Sequence, residues 1–180
     1  LEDPANMRIV TVAQAISDLR DLPIGGRDDT ISYDRLPPPE SAYQAWMRET
    51  NNDQVANVRV PRINPDTALR LQSIPQGGNH RDLPPSLLKR YLSDKRWGQD
   101  NGTGLLSRRH FYAYRKLHPG VWAWTLNTKA DSAYHYSMNR ALSVREFARI
   151  QFQLRDGGKY KLSKFTLGSC IRRDANYTYD

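Results

Sequence analysis

The sequence predicts an α+β fold in which short helices and long loops accompany a small twisted antiparallel sheet. Hydrophobic residues recur at helical spacing directly after capping sequences, and Pro- and Gly-rich stretches separate these segments. Residues 109–126 instead alternate and are rich in aromatic side chains, which is typical of strands. A chain of 180 residues, 38% of them hydrophobic, is long enough to bury a core of its own.

The first helices are predicted from their starting residues. Thr11 and Gln14 form a capping box within residues 8–20, and Asn64 followed by Pro65 is a favourable helix start. Between them, a proline run precedes a helix whose apolar face we interpret as core, namely Ala42, Tyr43, Trp46 and Met47. A Gly-rich loop then leads to a helix carrying Leu87, Leu88, Tyr91 and Leu92.

The strands are predicted at residues 109–126, where "RHFYAYRKL" and "VWAWTL" flank "HPG" as a hairpin. Its aromatic side chains alternate with Arg and Lys, a combination that binds nucleic acid because cations neutralise phosphates and rings pack on sugars or bases. The alternative is a hairpin whose aromatic face is buried and whose charges are solvated.

The last helix begins within "RALSVREFARIQ", residues 140–151. Ser143 and Glu146 form a second capping box, with Leu142 and Phe147 spaced as a hydrophobic staple. This capping box is unusual because two arginines lie at or beside the N-terminal end of the helix, which carries the positive end of the helix dipole.

Arg145 lies in the first turn of this helix and Arg140 just before it, although the helix dipole favours acids there. One interpretation is that the helix N-terminus and its arginines hold a phosphate. The other is that the arginines pair with Glu146 or another acid.

The composition of the chain restricts the classes of function that it can have. The chain has 27 Lys and Arg against 19 Asp and Glu, a net charge of +8, which favours an anionic partner such as nucleic acid. With Cys170 as its one cysteine, the chain cannot form an internal disulfide. The four histidines are scattered along the sequence and not spaced as metal ligands, so we do not expect a metal site. With neither a membrane-length apolar run nor a signal-peptide core, we expect an intracellular protein without membrane contact.

Several segments resemble the DNA cytosine-5 methyltransferases. "NRALSVREFARIQ" resembles their ninth motif, R-x-L-[ST]-x-R-E-x-A-R-x-Q, and "IPQGGNHRDLPPSLL" (74–88) resembles the opening of their target recognition domain. "FYAYRKLHPGVWAWTLNT" resembles their later strand pair, and "TVAQAISDLRDLP" the stretch that leads out of the catalytic half. The order of these segments, over about residues 9–151, is the order of the family.

The resemblance implies a division of the chain. Residues 1–24 correspond to the segment leading out of the catalytic domain and 25–139 to the target recognition domain. Residues 140–155 correspond to the ninth-motif helix, and 156–180 form a tail that does not align.

The resemblance also implies a function: this chain is the DNA-recognition part of an enzyme that transfers methyl from S-adenosylmethionine to C5 of cytosine in duplex DNA, with a flipped base. Thr125 matches the family's threonine that contacts the DNA backbone beside the target. With the basic hairpin and the Gly-rich loop, the expected DNA-binding residues are Gly77, Gly78, Arg81, Arg109, Tyr114, Arg115 and Thr125. A structural role in the motif is expected for Arg140, Ser143, Arg145 and Glu146, the arginines facing DNA-side loops or acids of the recognition domain.

The chain also departs from the family. It lacks the Pro-Cys nucleophile, since Cys170 follows Ser169, and it lacks the F-x-G-x-G cofactor loop. We therefore expect no catalytic residue here, and S-adenosylmethionine bound by the parent enzyme but not by this chain alone. The expected partners are double-stranded DNA and the missing catalytic domain, and the compartment is nuclear if eukaryotic, cytoplasmic if bacterial.

Two other functions remain open on the sequence. One is a basic nucleic-acid-binding module unrelated to methylation, which uses the hairpin as its platform. The other is an intact enzyme whose tail completes a site of another kind.

Overall fold

The structure is a computed structural model that describes residues 10–49, 53–88, 114–124, 126, 133–153 and 161–162. Its helices are short: α1 (Val12–Ile16), α2 (Ala42–Glu49), α3 (Pro65–Ser73) and α4 (Val144–Gln151). They are accompanied by 3-10 turns at Ser17–Leu19, Tyr33–Arg35 and His80–Asp82. Residues 85–88 are helical as well. Helices and antiparallel strands occur together, so the α+β class is confirmed.

The predicted helix starts are confirmed by their hydrogen bonds. At α1, the Thr11 Oγ1 accepts from the Gln14 amide at 3.3 Å, and the Gln14 Oε1 accepts from the Thr11 amide at 2.9 Å. At α3, the Asn64 Oδ1 accepts from the Thr67 amide at 2.7 Å, with Pro65 as the first helical residue. These bonds satisfy amides that have no partner within the helix.

The sheet is formed by other residues than the sequence predicts. Strand β1 (Thr30–Ser32) pairs antiparallel with β2 (Gln54–Ala56), and β3 (Phe152–Gln153) pairs antiparallel with β4 (Lys161–Leu162). Each pair is a sheet of two strands. The predicted hairpin is wrong for the part of 109–126 that the structure describes, because residues 114–124 and 126 contain no strand, only a parallel bridge from Lys116 to Tyr134.

The physical reason lies in the partners of this backbone. Within residues 114–124, Lys116 and Leu117 bond to the Gly-rich loop and to Tyr134, and Pro119 and Val121 bond to α1. A hairpin pattern predicts a local partner, and here the partners come from distant parts of the chain.

Three groups of buried residues form the interior. The first joins α1, α2 and α4: Val12, Ala15, Ile16, Tyr43, Leu117, Leu126, Ala133, Tyr136 and Leu142. Trp46, Met47 and Phe147 pack against it, so the apolar face of α2 is core as predicted. The two residues predicted as a hydrophobic staple, Leu142 and Phe147, belong to the same group. The second surrounds β1 and β2: Leu19, Leu22, Ile31, Leu36, Val55, Val58 and Val60. The third lies beside α3: Leu71, Ile74, Leu83, Tyr114, Tyr134 and Ala141.

Candidate nucleic-acid interface

Residues 117–122, called the HPG turn here, lie against the start of α1. The Val12 amide donates to the Val121 carbonyl and the Ala13 amide to the Pro119 carbonyl, both at 3.0 Å. The first amides of a helix have no acceptor within it, and here two carbonyls of the turn accept from two of these amides. The exposed His118 closes the turn by accepting from the Gly120 amide on its Nδ1 at 3.1 Å.

The Gly-rich loop, residues 75–82, forms backbone hydrogen bonds with the first residue of the HPG turn and with the residue before the turn. The Gly77 amide donates to the Leu117 carbonyl at 3.0 Å, and the Lys116 amide donates to the Gly78 carbonyl at 2.9 Å. Gly77 has φ +77°, and a Cβ there would lie 3.2 Å from the Cβ of His118. The position thus needs glycine for both its backbone conformation and its closeness to the turn.

Lys116 is a buried structural cation. Its Nζ donates to the Leu71 carbonyl at 3.0 Å, the Ile74 carbonyl at 3.2 Å and the Asn139 Oδ1 at 3.2 Å. Burial lowers the pKa of its ammonium group. The carbonyls belong to the last turn of α3 and the residue after it, where a helix favours a cation. Lys116 therefore joins α3 to the HPG turn and is not placed to neutralise a phosphate.

The start of α4 is organised by a buried ion pair. The Arg140 Nη1 and Nη2 donate to the Glu146 Oε2 and Oε1, both at 2.9 Å, and neither side chain is exposed. Arg140 also donates to the carbonyls of Leu19 and Arg20, which follow α1 in residues 11–23, called the α1 segment here. Glu146 in turn accepts from the Ser143 amide at 2.7 Å, which confirms the predicted capping box. Of the two interpretations of Arg140, pairing with Glu146 is confirmed, but inside the protein and not at its surface.

Arg145 binds the part of the chain predicted to be the recognition domain. Its Nε donates to the Ala56 carbonyl at 2.8 Å and its amide to the Asn57 carbonyl at 2.9 Å. The Glu146 amide donates to Ser143 Oγ at 3.2 Å. With these amides bonded within the protein, a phosphate held at the start of α4 is not supported.

A second buried ionic group was missed by the sequence analysis. Asp18 accepts from the Arg149 Nη1 at 2.6 Å and pairs with the Arg48 Nη2 at 2.8 Å. The Asp18 side chain is fully buried, and the Arg149 side chain is 1% exposed. The group joins the end of α1 to α2 and α4. Only Arg149 carried a signal, as a motif residue, because the pairing joins residues far apart in sequence.

His135 lies beside the Arg140–Glu146 pair and is fully buried. Its Nδ1 accepts from the amides of Ser137 at 3.2 Å and Met138 at 3.1 Å, while its Nε2 lies 3.7 Å from the Glu146 Oε1. Burial lowers the pKa of His135 to about 4, against the opposing effect of the Glu146 carboxylate. The imidazole is therefore neutral near neutral pH, with its proton on Nε2 because Nδ1 is an acceptor.

The predicted DNA-binding residues fall into three sets. Gly77, Gly78 and the exposed Arg81 belong to the Gly-rich loop region, and Arg115 is half-buried with its guanidinium carbon 3.7 Å from the centre of the Trp124 ring. Arg109 and Thr125 lie outside the described residues. Tyr114 is different, because it is only 6% exposed.

The Tyr114 ring packs parallel to Tyr134, and its hydroxyl accepts from the Arg70 Nη1 at 2.9 Å. Its role in this structure is to fill the core beside α3. A DNA contact through its ring would require that packing to open, so the burial of Tyr114 does not favour the predicted contact.

The HPG turn exposes residues that were not among the predicted DNA contacts. Trp122 is 63% exposed and Val121 48%. Exposed His118 lies on the same turn, in contact with the Gly-rich loop. A signal existed in the sequence, since tryptophan beside a Pro-Gly turn is an unusual surface residue.

Across the described residues, no group of three His, Cys, Asp or Glu side chains is arranged to hold a metal ion. None of the helices in that part of the chain has the length and apolar character needed to cross a bilayer.

No protein-family model matches the chain, and no curated protein matches it.

Proposed function

We propose that this chain is the DNA-recognition part of a DNA cytosine-5 methyltransferase. The parent enzyme would transfer methyl from S-adenosylmethionine to C5 of cytosine in duplex DNA. The nucleophile and the cofactor pocket would belong to a catalytic domain outside this chain, since the chain lacks both of their sequence motifs. The chain alone is then expected to bind DNA without methylating it.

One observation carries the proposal: the four segments that resemble the family meet in space. The α1 segment bonds to the HPG turn, and the turn bonds to the Gly-rich loop. The ninth-motif Arg140 bonds back to the end of the α1 segment. The four segments thus lie together in the structure, as the parts of one recognition unit would.

The proposed division of labour follows from burial. The ninth motif is an internal brace, because Arg140, Ser143 and Glu146 are fully buried and Arg145 bonds to Ala56. DNA contact is assigned to the more open residues, namely Gly77, Gly78, Arg81, Arg115 and, from the resemblance alone, Arg109 and Thr125. Arginine suits this role because its planar guanidinium binds phosphate oxygens in pairs.

The proposed partners are double-stranded DNA and the catalytic domain. The α1 segment, which the resemblance places at the exit of that domain, lies directly against the HPG turn. A catalytic domain connected there would bring its active site close to the proposed DNA contacts. The compartment is that of the cell's DNA, nuclear in a eukaryote and cytoplasmic in a bacterium.

A basic nucleic-acid-binding module unrelated to methylation is the second candidate. The stacking of Arg115 on Trp124 and the exposed Trp122 favour it, because a surface of rings and guanidinium groups also binds single-stranded or RNA ligands. The two candidates differ in their preferred ligand.

Fluorescence anisotropy with a labelled duplex that contains one CpG tests the proposal. The titration is repeated at several salt concentrations, with an RNA duplex of the same sequence alongside. We expect preference for DNA and affinity that falls with salt, the slope giving the number of phosphates neutralised. Preference for RNA would favour the second candidate, and the absence of binding at low salt would contradict both.

A methyl-transfer assay complements the titration. With S-adenosylmethionine and the same duplex, the isolated chain is expected to transfer no methyl. Transfer by the chain alone would show that a catalytic centre lies within it and would overturn the proposed division.

A further inference from the structure

Trp122 is the most exposed of the large hydrophobic residues in the described part of the chain. Its side chain is 63% accessible, compared with 52% for Ile24 and 48% for Val121. Tryptophan buries more apolar surface than almost any other side chain when it finds a partner. Leaving it in water therefore forgoes stabilisation that the fold could have used. Together with the exposed Val121 beside it, Trp122 forms an apolar patch on the turn, and such a patch indicates a contact with another molecule.

The backbone under Trp122 is held on both sides. The neighbouring Val121 carbonyl accepts from the Val12 amide and the Pro119 carbonyl from the Ala13 amide. On the other side, the Gly77 amide bonds to the Leu117 carbonyl. The ring thus projects from a fixed turn, and little backbone entropy is lost when it binds a ligand.

The charges around the turn favour nucleic acid over a protein surface. The guanidinium of Arg115 lies over Trp124, two residues from Trp122. Arg81 is exposed at the end of the Gly-rich loop, and exposed His118 lies on the turn itself. Asp82, the acid of that loop, accepts from the Asn79 amide at 2.8 Å. An aromatic ring accompanied by two arginines is a combination that binds bases and phosphates together.

We propose that Trp122 stacks on a nucleobase of bound DNA, an inference that rests on the proposed function. In an intact duplex, bases are covered by their neighbours. A protein that flips a cytosine unstacks the bases beside it, and an aromatic ring then has a face to cover. Trp122 would supply that cover, while the arginines fix the position of the backbone.

The test compares Trp122→Ala and Trp122→Phe with wild type in the CpG duplex titration. Leu69→Ala, which removes an apolar side chain 45% exposed on α3, is the matched control. We expect Trp122→Ala to weaken binding roughly ten-fold or more, and Trp122→Phe to retain most of the affinity. Leu69→Ala should bind like wild type. The salt slope should stay the same in all variants, because no phosphate contact is removed.

Tryptophan fluorescence gives a second measurement that does not depend on the alanine variant folding. Stacking on a base quenches indole emission, so wild type should lose more emission on binding DNA than Trp122→Phe does. Equal quenching in the two proteins would overturn the inference. Comparable affinity of Trp122→Ala and wild type would also overturn it while leaving the proposed function intact, whereas no binding by wild type would overturn both.

The alternative partner for Trp122 is a protein surface, such as that of a second copy of the chain. Sedimentation of wild type and Trp122→Ala distinguishes it. If wild type self-associates, Trp122→Ala does not, and the two bind DNA equally, the turn is a protein contact and the inference is wrong.

Discussion

Arg140 and Glu146 form a bidentate ion pair with no exposure to solvent, both N–O distances being 2.9 Å. The same carboxylate caps α4 by accepting from the Ser143 amide. It therefore balances two positive charges, the guanidinium and the helix N-terminus. This pairing explains why a well-capped helix begins beside an arginine: the arginine binds the capping acid and not an external anion.

Removing Arg140 should strongly destabilise the protein. Arg140→Ala leaves the Glu146 carboxylate buried without its partner, and we expect the free energy of unfolding to fall by about 3–5 kcal/mol. Urea denaturation followed by circular dichroism measures the loss. Arg20→Ala is the control, since Arg20 pairs with Glu40 at 2.9 Å but both side chains are more than 40% exposed. Its loss should be under about 1 kcal/mol, and an equal loss in both variants would contradict the interpretation.

The pair can also be removed as a unit. In Arg140→Met with Glu146→Gln, no buried charge is left unpaired and Gln still serves in a capping box. We expect this double variant to be more stable than Arg140→Ala. Lower stability of the double variant would mean that the packing of the guanidinium, not its charge, dominates.

Arg145 is expected to stabilise the fold and not to bind DNA. Arg145→Ala removes the bond from Nε to the Ala56 carbonyl, and we expect the melting temperature to fall by a few degrees, which corresponds to about 1–2 kcal/mol. DNA affinity, measured well below the melting temperature, should change little. An unchanged melting temperature with weaker DNA binding would contradict this role.

His135 should make stability depend on pH. In the unfolded chain a histidine takes up a proton below about pH 6.5, whereas folded His135, with its pKa lowered to about 4, stays neutral. Between these values unfolding takes up a proton, so the free energy of unfolding falls as the pH drops from 6.5 to 4, by about 3 kcal/mol from this residue. Urea denaturation at a series of pH values measures the slope.

A matched pair of variants isolates His135. His135→Asn keeps an acceptor for the Ser137 and Met138 amides but cannot titrate, so its stability should vary less over this pH range. His118→Asn makes the same exchange at an exposed histidine that also accepts a backbone amide on its Nδ1, and it should keep the pH dependence that comes from His135. Identical slopes for His135→Asn and wild type would contradict the prediction.

Gly77 should not tolerate a side chain. In Gly77→Ala the residue keeps φ +77° and places its Cβ 3.2 Å from His118, so we expect a loss of about 1–2 kcal/mol in a melting experiment. Gly26→Ala is the control. Its Cβ would lie 3.5 Å from Pro23, an ordinary contact without positive φ, and its effect should stay within about 0.5 kcal/mol. Equal effects would show that the Gly-rich loop adapts to the side chain.

Local features of this protein were predictable from its sequence. The boxes at Thr11–Gln14 and Ser143–Glu146 and the cap at Asn64 were identified correctly, because each bond joins residues three apart. The apolar face of α2 was identified for the same reason, since helical spacing is a local property. The candidate site was predictable only in part: Tyr114 looked like a contact residue, and nothing in its neighbourhood showed that it would pack on Tyr134.

The sequence by itself determined where helices begin, which faces are apolar and that the chain is basic. Tertiary structure decided how polar groups are used. It turned Lys116 from a potential phosphate contact into a buried support for α3, and it placed Asp18 between Arg48 and Arg149. It also replaced an expected hairpin by bonds from the HPG turn to α1 and the Gly-rich loop. The physical reason is distance along the chain: caps and amphipathic faces arise from neighbours a few residues apart, whereas burial of a charge depends on partners that only folding brings together.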